Sequence, residues 1–405
     1  NAAAKKSRSE NFITKFARFY TPAVVGGAAF IAVVPPLVLE GAAFGDWIYR
    51  ALVFLVISCP CALVISIPLS FFGGLGAAAR KGILVKGSNY LEALADAEVA
   101  VFDKTGTLTK GTFKVQEVVS KDIHNNEEIL KFAACAESFS NHPISLSIRR
   151  AYGKEIDAAL ISNVKEIPGQ GVTATVDGRF VAAGNARLMH MLGITVEDPG
   201  EAATVVHVAV DGEYKGYIVI ADVIKEDAAK AVSELKAQRV KRIVMLTGDA
   251  ESVAESVAMS LGIDEAYGGL LPADKVQKVE DLMAGKSAKG KLIFVGDGIN
   301  DAPVLALADV GIAMGGLGSD AAIEAADVVI MTDEPSKIPV AIKIAKRTLA
   351  IAKQNIAIAL GVKGAVLALG ALGIASMWAA VFADVGVTLI AILNAMRTQV
   401  LGSDL

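Results

Sequence analysis

Cysteine is scarce in this chain: there are three among 405 residues, Cys59, Cys61 and Cys135, the first two inside one apolar run. That count argues against a disulfide framework and fits a polar portion in a reducing compartment, the cytoplasm. Net charge is equally slight. Lys and Arg number 39 against 43 Asp and Glu, a formal −4, so nothing in the charge points to nucleic acid. No secretory leader is expected in Asn1–Arg18, which is polar and basic without a short apolar core or a cleavage site. The first residue is not Met, and the expectation is that the chain starts partway through a longer protein.

What is plentiful is apolar surface, 53% of residues, concentrated in four runs. Pro22–Leu39 has the 18 residues that set the lower limit for a membrane-spanning helix, and Pro35-Pro36 should kink or fray its end. Trp47–Phe72 is the second run, with Trp47 and Tyr49 placed as interfacial anchors. Leu349–Leu372 and Ile374–Ala395 are the third and fourth. Lys5, Lys6, Arg8, Lys15 and Arg18 precede the first pair and Arg80, Lys81 and Lys86 follow it, whereas Glu40–Asp46 between them has no Lys or Arg. Lys343, Lys346 and Arg347 before the second pair and Arg397 after it repeat the pattern. Positive flanks stay inside, so each pair is a hairpin with both ends in the cytoplasm.

Residues 81–347 are polar, with short unalternated apolar runs at Val99–Phe102, Arg242–Leu246, Lys291–Val295, Val310–Ala313 and Val328–Met331 between helical stretches. Such runs predict a buried parallel sheet. Residues 112–216 interrupt it with a different texture: helical signals at Glu127–Glu137 and Ile144–Tyr152, then β-rich segments at Gly171–Ala183 and Thr204–Ile220, the last with an Asp211-Gly212 hairpin signal. The expected organisation is a lead-in at 1–20, a helix pair at 21–73, a split α/β domain at 81–111 and 217–347, an inserted domain at 112–216 and a second helix pair at 348–397.

Directly after Val99–Phe102 comes Asp103-Lys104-Thr105-Gly106-Thr107-Leu108-Thr109. A carboxylate at the C-terminal edge of a strand sits where open α/β sheets place ligands, and it can attack a phosphoryl group to give an aspartyl phosphate. Two further strands end the same way, in Thr247-Gly248-Asp249 and in Gly296-Asp297-Gly298-Ile299-Asn300-Asp301. Phosphoryl transfer is mostly positioning and charge neutralisation. The expected roles are Asp103 as nucleophile, Asp297 with Asp103 on Mg²⁺ through hard oxygens, and Thr247 and Gly248 hydrogen-bonding the phosphoryl oxygens. Lys275 would neutralise developing charge, while Asn300 and Asp301 brace the loop.

The seven residues from Asp103 to Thr109 resemble the phosphorylation loop of the P-type ATPases, within the wider haloacid-dehalogenase-like phosphotransferases. The resemblance implies a multidomain membrane protein: four transmembrane α-helices, a cytoplasmic doubly wound α/β phosphorylation domain and an inserted α+β nucleotide-binding domain. It also implies a main-chain carbonyl near Thr105 as a further Mg²⁺ ligand. Glu137, Ser140-Asn141-His142-Pro143, Gly169-Gln170-Gly171 and Gly184-Asn185 look like the nucleotide domain of the heavy-metal branch, which implies ATP at Glu137, His142, Pro143, Gly169, Gly171, Gly184 and Asn185. A His held by the following Pro can stack on adenine, and glycines let backbone approach phosphate. Cys135, on the apolar side of a helix, reads as packing.

Cys59-Pro60-Cys61 lies near the middle of the second run. On an ideal helix two residues two apart point about 200° apart, but Pro60 removes a donor and unwinds the helix so that the sulfurs can converge. Lys363 and Asp384 lie inside the third and fourth runs, far from their ends; charges at that depth are expensive and mark function, so they are expected to face the bundle interior and each other. The set resembles the zinc, cadmium and lead subgroup of metal-transporting P-type ATPases. Two thiolates and a carboxylate total −3, which a divalent ion and Lys363 balance, and thiolates favour soft or borderline ions over Mg²⁺ and Ca²⁺. The expected function is ATP-driven export of Zn²⁺, Cd²⁺ or Pb²⁺ from a bacterial-type plasma membrane, with a Cu⁺ exporter or a membrane-tethered phosphatase as alternatives. The expected partners are membrane lipid, ATP, the divalent ion and the rest of the pump. P-type ATPases dephosphorylate with a Thr-Gly-Glu loop of an actuator domain, and no Thr-Gly-Glu occurs in this sequence; the expectation is a chain that accepts phosphate and turns over poorly.

Overall fold

The structure, a computed structural model, describes residues 8–121, 125–140, 142–196, 204–297, 301–315, 320–371 and 376–400. Two compact units form. One holds Asn1–Ala100, Glu234–Lys241 and Lys278–Leu405, the other Val101–Ser233 and Arg242–Gln277.

Among the described residues of the first unit, four segments are long and apolar enough to cross a membrane: Arg18–Val38, Phe44–Arg80, Lys337–Leu369 and Val381–Gln399. The helix Arg8–Val38 continues through Pro22, Pro35 and Pro36 and ends two residues after the last of them, so the proline pair lies inside its final turn and does not break it. The second segment is two helices, Phe44–Ile57 and Cys61–Arg80, interrupted at 58–60. Pro60 causes the break, and its carbonyl starts the next helix by accepting from the Leu63 and Val64 N–H groups at 3.0 and 3.1 Å. The third segment does not begin at Leu349; one helix runs from Lys337 to Ala371, carrying the polar stretch before the apolar run into the membrane without a joint. Wholly buried Asn355 fixes its register against the helix Met377–Val400, donating to the Ala391 carbonyl at 3.1 Å and accepting from Asn394 Nδ2 at 2.9 Å. A buried amide in an apolar bundle must find both partners, so this pair resists sliding.

The same unit contains part of the α/β sheet. Lys291–Gly296 pairs in parallel with Val310–Met314, and that strand in parallel with Val328–Ile330. Ile83–Val85, which period alone did not reveal as a strand, closes the edge antiparallel to Val328–Ile330. Val310–Met314 and Val328–Ile330 are buried at every position, the reason that their sequences show no alternation. Asp297 follows directly on Gly296, and Asp301 stands before the helix Ala302–Leu307.

In the second unit the strand Ala97–Asp103 delivers its last residues, and Arg242–Leu246 pairs in parallel with Glu265–Tyr267 across the helix Glu251–Leu261. The remainder is a six-stranded antiparallel sheet in the order Thr109–Ser120, Glu213–Ile224, Thr204–Val210, Arg179–Gly184, Gly171–Val176, Ile161–Ile167. Helices Asn126–Ala136 and Pro143–Tyr152 bury one face with Ile129, Ala133 and Ile148. Cys135 belongs to that core. The short helix Ala186–Met191 covers the other face through Leu188 and Met189. Asp211-Gly212 is the turn its composition announces, with φ of 52° and 83°, the left-handed pair that a two-residue hairpin requires.

Candidate functional site

Three groups of side chains can carry chemistry. The first surrounds Asp103, which ends its strand buried at 6% exposure. Apolar neighbours on the strand, Val99 to Phe102, lock its backbone. The Lys275 ammonium, one turn into the helix Pro272–Gly285, pairs with Asp103 Oδ1. Lys104, also buried, pairs with Asp249, so the loop after the first strand is tied to the Thr247-Gly248-Asp249 turn. Within that turn the Asp249 N–H donates to Thr247 Oγ1 at 3.1 Å, and the Thr247 N–H donates to the Tyr267 carbonyl at 3.0 Å. The unit thus gathers Asp103, Lys104, Thr105, Thr247, Gly248 and Asp249 on two neighbouring turns, with Lys275 brought to Asp103 from its helix. Asn300 lies outside the described residues; Asp297 and Asp301 stand in the first unit at the end of their own strand, Asp301 buried. Two residues were not singled out from the sequence. Thr107 has a buried hydroxyl with no hydrogen-bond partner among the described residues. Lys225 reaches the Gly106 carbonyl from 119 residues away.

The second group lines a cavity of about 280 Å³ in the inserted sheet: Glu137, His142, Ser145, Glu166, Gly169, Gly171, Gly184 and Asn185. Glu137 is buried and accepts from Ser145 Oγ at 2.6 Å. Burial raises its carboxyl pKa above the usual range, Glu166 adds to the rise, and the Ser145 hydrogen bond opposes it. His142 is exposed and caps the helix Pro143–Tyr152, its Nδ1 accepting from the Ile144 N–H at 3.3 Å. Pro143 starts that helix and does not face the cavity. Asn185 Oδ1 accepts from the Arg187 and Leu188 N–H groups at 3.1 and 3.2 Å, while Nδ2 donates to the Gly169 carbonyl at 2.9 Å. The glycines divide by cause. A Cβ on Gly171 would lie 2.3 Å from the Ala183 carbonyl oxygen, and one on Gly184 would lie 2.3 Å from the Gln170 carbonyl oxygen. Those two are therefore required by strand contact. Gly169, at φ 70° with nothing within 4 Å, is the one whose bare face is open. Asn141 lies outside the described residues.

The third group lies in the membrane unit. Cys59 and Cys61 are joined as a disulfide, which the low cysteine count did not foretell; the break at Pro60 removes the helical twist that would hold them apart. Either sulfur and an Asp384 carboxylate oxygen lie within 4.8 Å of one another. Lys363 Nζ donates to Asp384 Oδ1 at 2.8 Å, to the Ile57 carbonyl at 3.2 Å and to the Cys59 carbonyl. An ammonium has three donors, and here all three end on groups around the break. The carbonyl contacts were invisible in sequence because they belong to backbone freed by Pro60.

Known proteins are similar to this chain over most of its length. Residues 97–309 match the haloacid dehalogenase-like hydrolase family. The cadmium, zinc and cobalt-transporting ATPase of Bacillus subtilis is 60% identical over 98% of this chain and 57% of its own length. The zinc-transporting ATPase of Synechocystis is 57% identical over 98% of this chain and 55% of its own. The crystal structure of a zinc-transporting PIB-type ATPase in its E2·Pi state superposes with a TM-score of 0.83 at 39% identity, covering 96% of this chain and 64% of that one. This chain accordingly spans little more than half the length of the curated relatives it matches. It belongs to the haloacid dehalogenase-like hydrolase family and, within it, to the heavy-metal P-type ATPases.

Proposed function

We propose that this chain carries the phosphorylation, nucleotide and metal sites of an ATP-driven exporter of Zn²⁺, Cd²⁺ or Pb²⁺ in the plasma membrane. The observation that carries the reading is the donor set in the membrane unit: Cys59, Cys61 and Asp384 together, with Lys363 on the same carboxylate. A phosphatase has no use for it. Ion binding calls for the reduced dithiol, since only thiolate sulfur is a metal ligand. The two thiolates and the Asp384 carboxylate then bind the cation, which takes the place of the Lys363 ammonium on that carboxylate.

In the polar portion ATP occupies the cavity beside Glu137 and His142, with Gly169 open to it. The Asp103 carboxylate attacks the γ-phosphorus, the bond to the β-phosphate oxygen breaks, and ADP leaves with that electron pair. The Lys275 ammonium, already paired with Asp103, neutralises the phosphoryl oxygens as charge moves onto them. The Thr247 hydroxyl and the Gly248 backbone hold those oxygens, and Thr107 is available as a further donor. Asp103, Asp297 and the Thr105 carbonyl are hard oxygen donors and fit Mg²⁺, which supplies charge neutralisation at the transferred group. Relatives' longer chains leave room for an actuator-bearing partner portion to remove the phosphate.

The test is acid-stable labelling of the protein by γ-labelled ATP with and without each metal under a phosphine reductant, Asp103→Asn serving as the blank. Label on wild type but not on Asp103→Asn, changed by Zn²⁺ or Cd²⁺, supports the reading. A response to Cu⁺ with none to Zn²⁺, Cd²⁺ or Pb²⁺ refutes the choice of ion, and labelling indifferent to every metal refutes transport.

A further inference from the structure

The phosphorylation loop is gripped by the strand that returns from the inserted sheet. That strand, Glu213–Ile224, ends at a segment whose Lys225 is only 5% exposed. Lys225 Nζ donates to the Gly106 carbonyl at 2.8 Å, and its own backbone N–H donates to the Leu108 carbonyl at 2.9 Å. Three residues earlier, Asp222 accepts from Thr109 Oγ1, a hydroxyl that also lies 3.0 Å from the Lys104 carbonyl. The loop is therefore held at Gly106, Leu108 and Thr109 from one short segment more than a hundred residues away in sequence. Gly106 sits at φ 72°, so its carbonyl direction is set by a turn with little intrinsic preference against flipping in glycine. Because the peptide is planar and trans, an ammonium that fixes the Gly106 carbonyl also fixes where the Thr107 N–H points. The strand carrying the chain out, Thr109–Ser120, pairs with the returning one from Thr109↔Ile224 onward, with an irregularity before Phe113↔Asp222. Both strands connecting the inserted sheet thus meet at the loop.

We propose that Lys225, aided by Asp222, is a positioning residue for phosphoryl transfer: it sets the loop main chain around Asp103 and ties that geometry to the strands of the nucleotide-bearing sheet. The proposal rests on the reading that Asp103 accepts phosphate from ATP. It is tested on the full chain in detergent by comparing wild type, Lys225→Met, Lys225→Arg and Asp103→Asn. Two readouts are needed, hydrogen exchange at residues 104–108 and the rate of label transfer from ATP, with ATP affinity and Tm measured alongside. Lys225→Met should exchange faster in the loop alone and transfer phosphate about tenfold to a hundredfold more slowly, the scale of a small misplacement of reacting groups. ATP affinity should stay within about twofold, because no residue of the nucleotide cavity is touched, and Lys225→Arg should restore most of the rate. Loop exchange and transfer both at the wild-type level in Lys225→Met overturn the proposal. So does Lys225→Arg failing alongside Lys225→Met with ATP binding lost in parallel, which marks a folding role. If wild type takes no label, the phosphorylation reading fails by itself, while the exchange comparison still decides whether Lys225 holds the loop. Should Lys225→Met not fold, the near-isosteric Thr109→Val reads the other anchor; unchanged exchange across 104–108 then refutes the brace.

Discussion

Replacing Lys363 with methionine should make the reduced chain bind Zn²⁺ more tightly while impairing its metal-stimulated reaction. The Lys363 ammonium is bonded to Asp384 Oδ1 at 2.8 Å and to two carbonyls at the helix break, and so competes with a cation for that carboxylate. The side chains of this pair are 10% and 16% exposed. Removing one partner of a buried pair costs about 3–5 kcal/mol because the other charge is left unpaired. Partial exposure of Asp384 and water at the freed carbonyls put this pair at the low end, about 3 kcal/mol. The Lys363→Met side chain keeps the volume but leaves Asp384 in that state, and an arriving Zn²⁺ relieves it. At 1.4 kcal/mol per factor of ten, about 3 kcal/mol corresponds to Kd lower by about a hundredfold. The same term works against release, so stimulated turnover should fall even as affinity rises. Calorimetric titration of Zn²⁺ into wild type and Lys363→Met, both fully reduced, gives the sign directly. Equal or weaker binding by the variant would falsify the idea that Lys363 competes with the ion.

Thiol counting under denaturation should give one reactive sulfur, that of Cys135, without reductant and three after reduction, and Zn²⁺ binding should appear only in the reduced sample; equal binding in both refutes the dithiol requirement. Glu137 offers a pH test with a definite sign. Burial raises its folded pKa above the ordinary 4.5, so the folded state binds the extra proton, and the contribution is full below that value and lost as pH rises through the folded pKa. Glu137→Gln, which can still accept from Ser145, should therefore raise Tm at pH 7.5 with the gain vanishing towards pH 4; a gain that grows on acidification contradicts the burial argument. The two glycines of the Gly169-Gln170-Gly171 turn should separate in stability. Gly171→Ala places a methyl 2.3 Å from the Ala183 oxygen and should cost about 3 kcal/mol, the upper range for forced overpacking. Gly169→Ala, in open space but at φ 70°, should cost about 1–2 kcal/mol; denaturant melts giving the reverse order would sink this assignment.

Much of this molecule could be read along the chain because its chemistry is local to strand ends. Asp103 and the Thr247 turn each follow a short apolar run, and such runs become buried parallel strands wherever helices cover both faces. Pro60 announced its own break, since a missing N–H is a local fact, and Asp211-Gly212 announced its turn for the same kind of reason. What stayed hidden depends on which distant segments meet. Asp177-Gly178, an equally good hairpin pair at φ 49° and 75°, closes two strands that had read as one continuous β-rich segment. Gly171 and Gly184 looked like phosphate-approach glycines, but two strands crossing at 2.3 Å explain them without a ligand, so the composition of a turn does not by itself say what its missing Cβ makes room for. Lys225 lies in a charged stretch with Glu226 and Asp227, where a solvated surface is the natural reading, yet it is almost fully buried on the loop carbonyl of Gly106. Lys363 had one partner legible from charge balance, Asp384, and two that were not, because the Ile57 and Cys59 carbonyls become acceptors only after Pro60 has opened the helix. The local signals thus mark the groups that react. The long-range contacts decide how those groups are held, and both Lys225 and Lys363 do so by placing an ammonium on main-chain oxygen that a glycine turn or a proline break has turned outward.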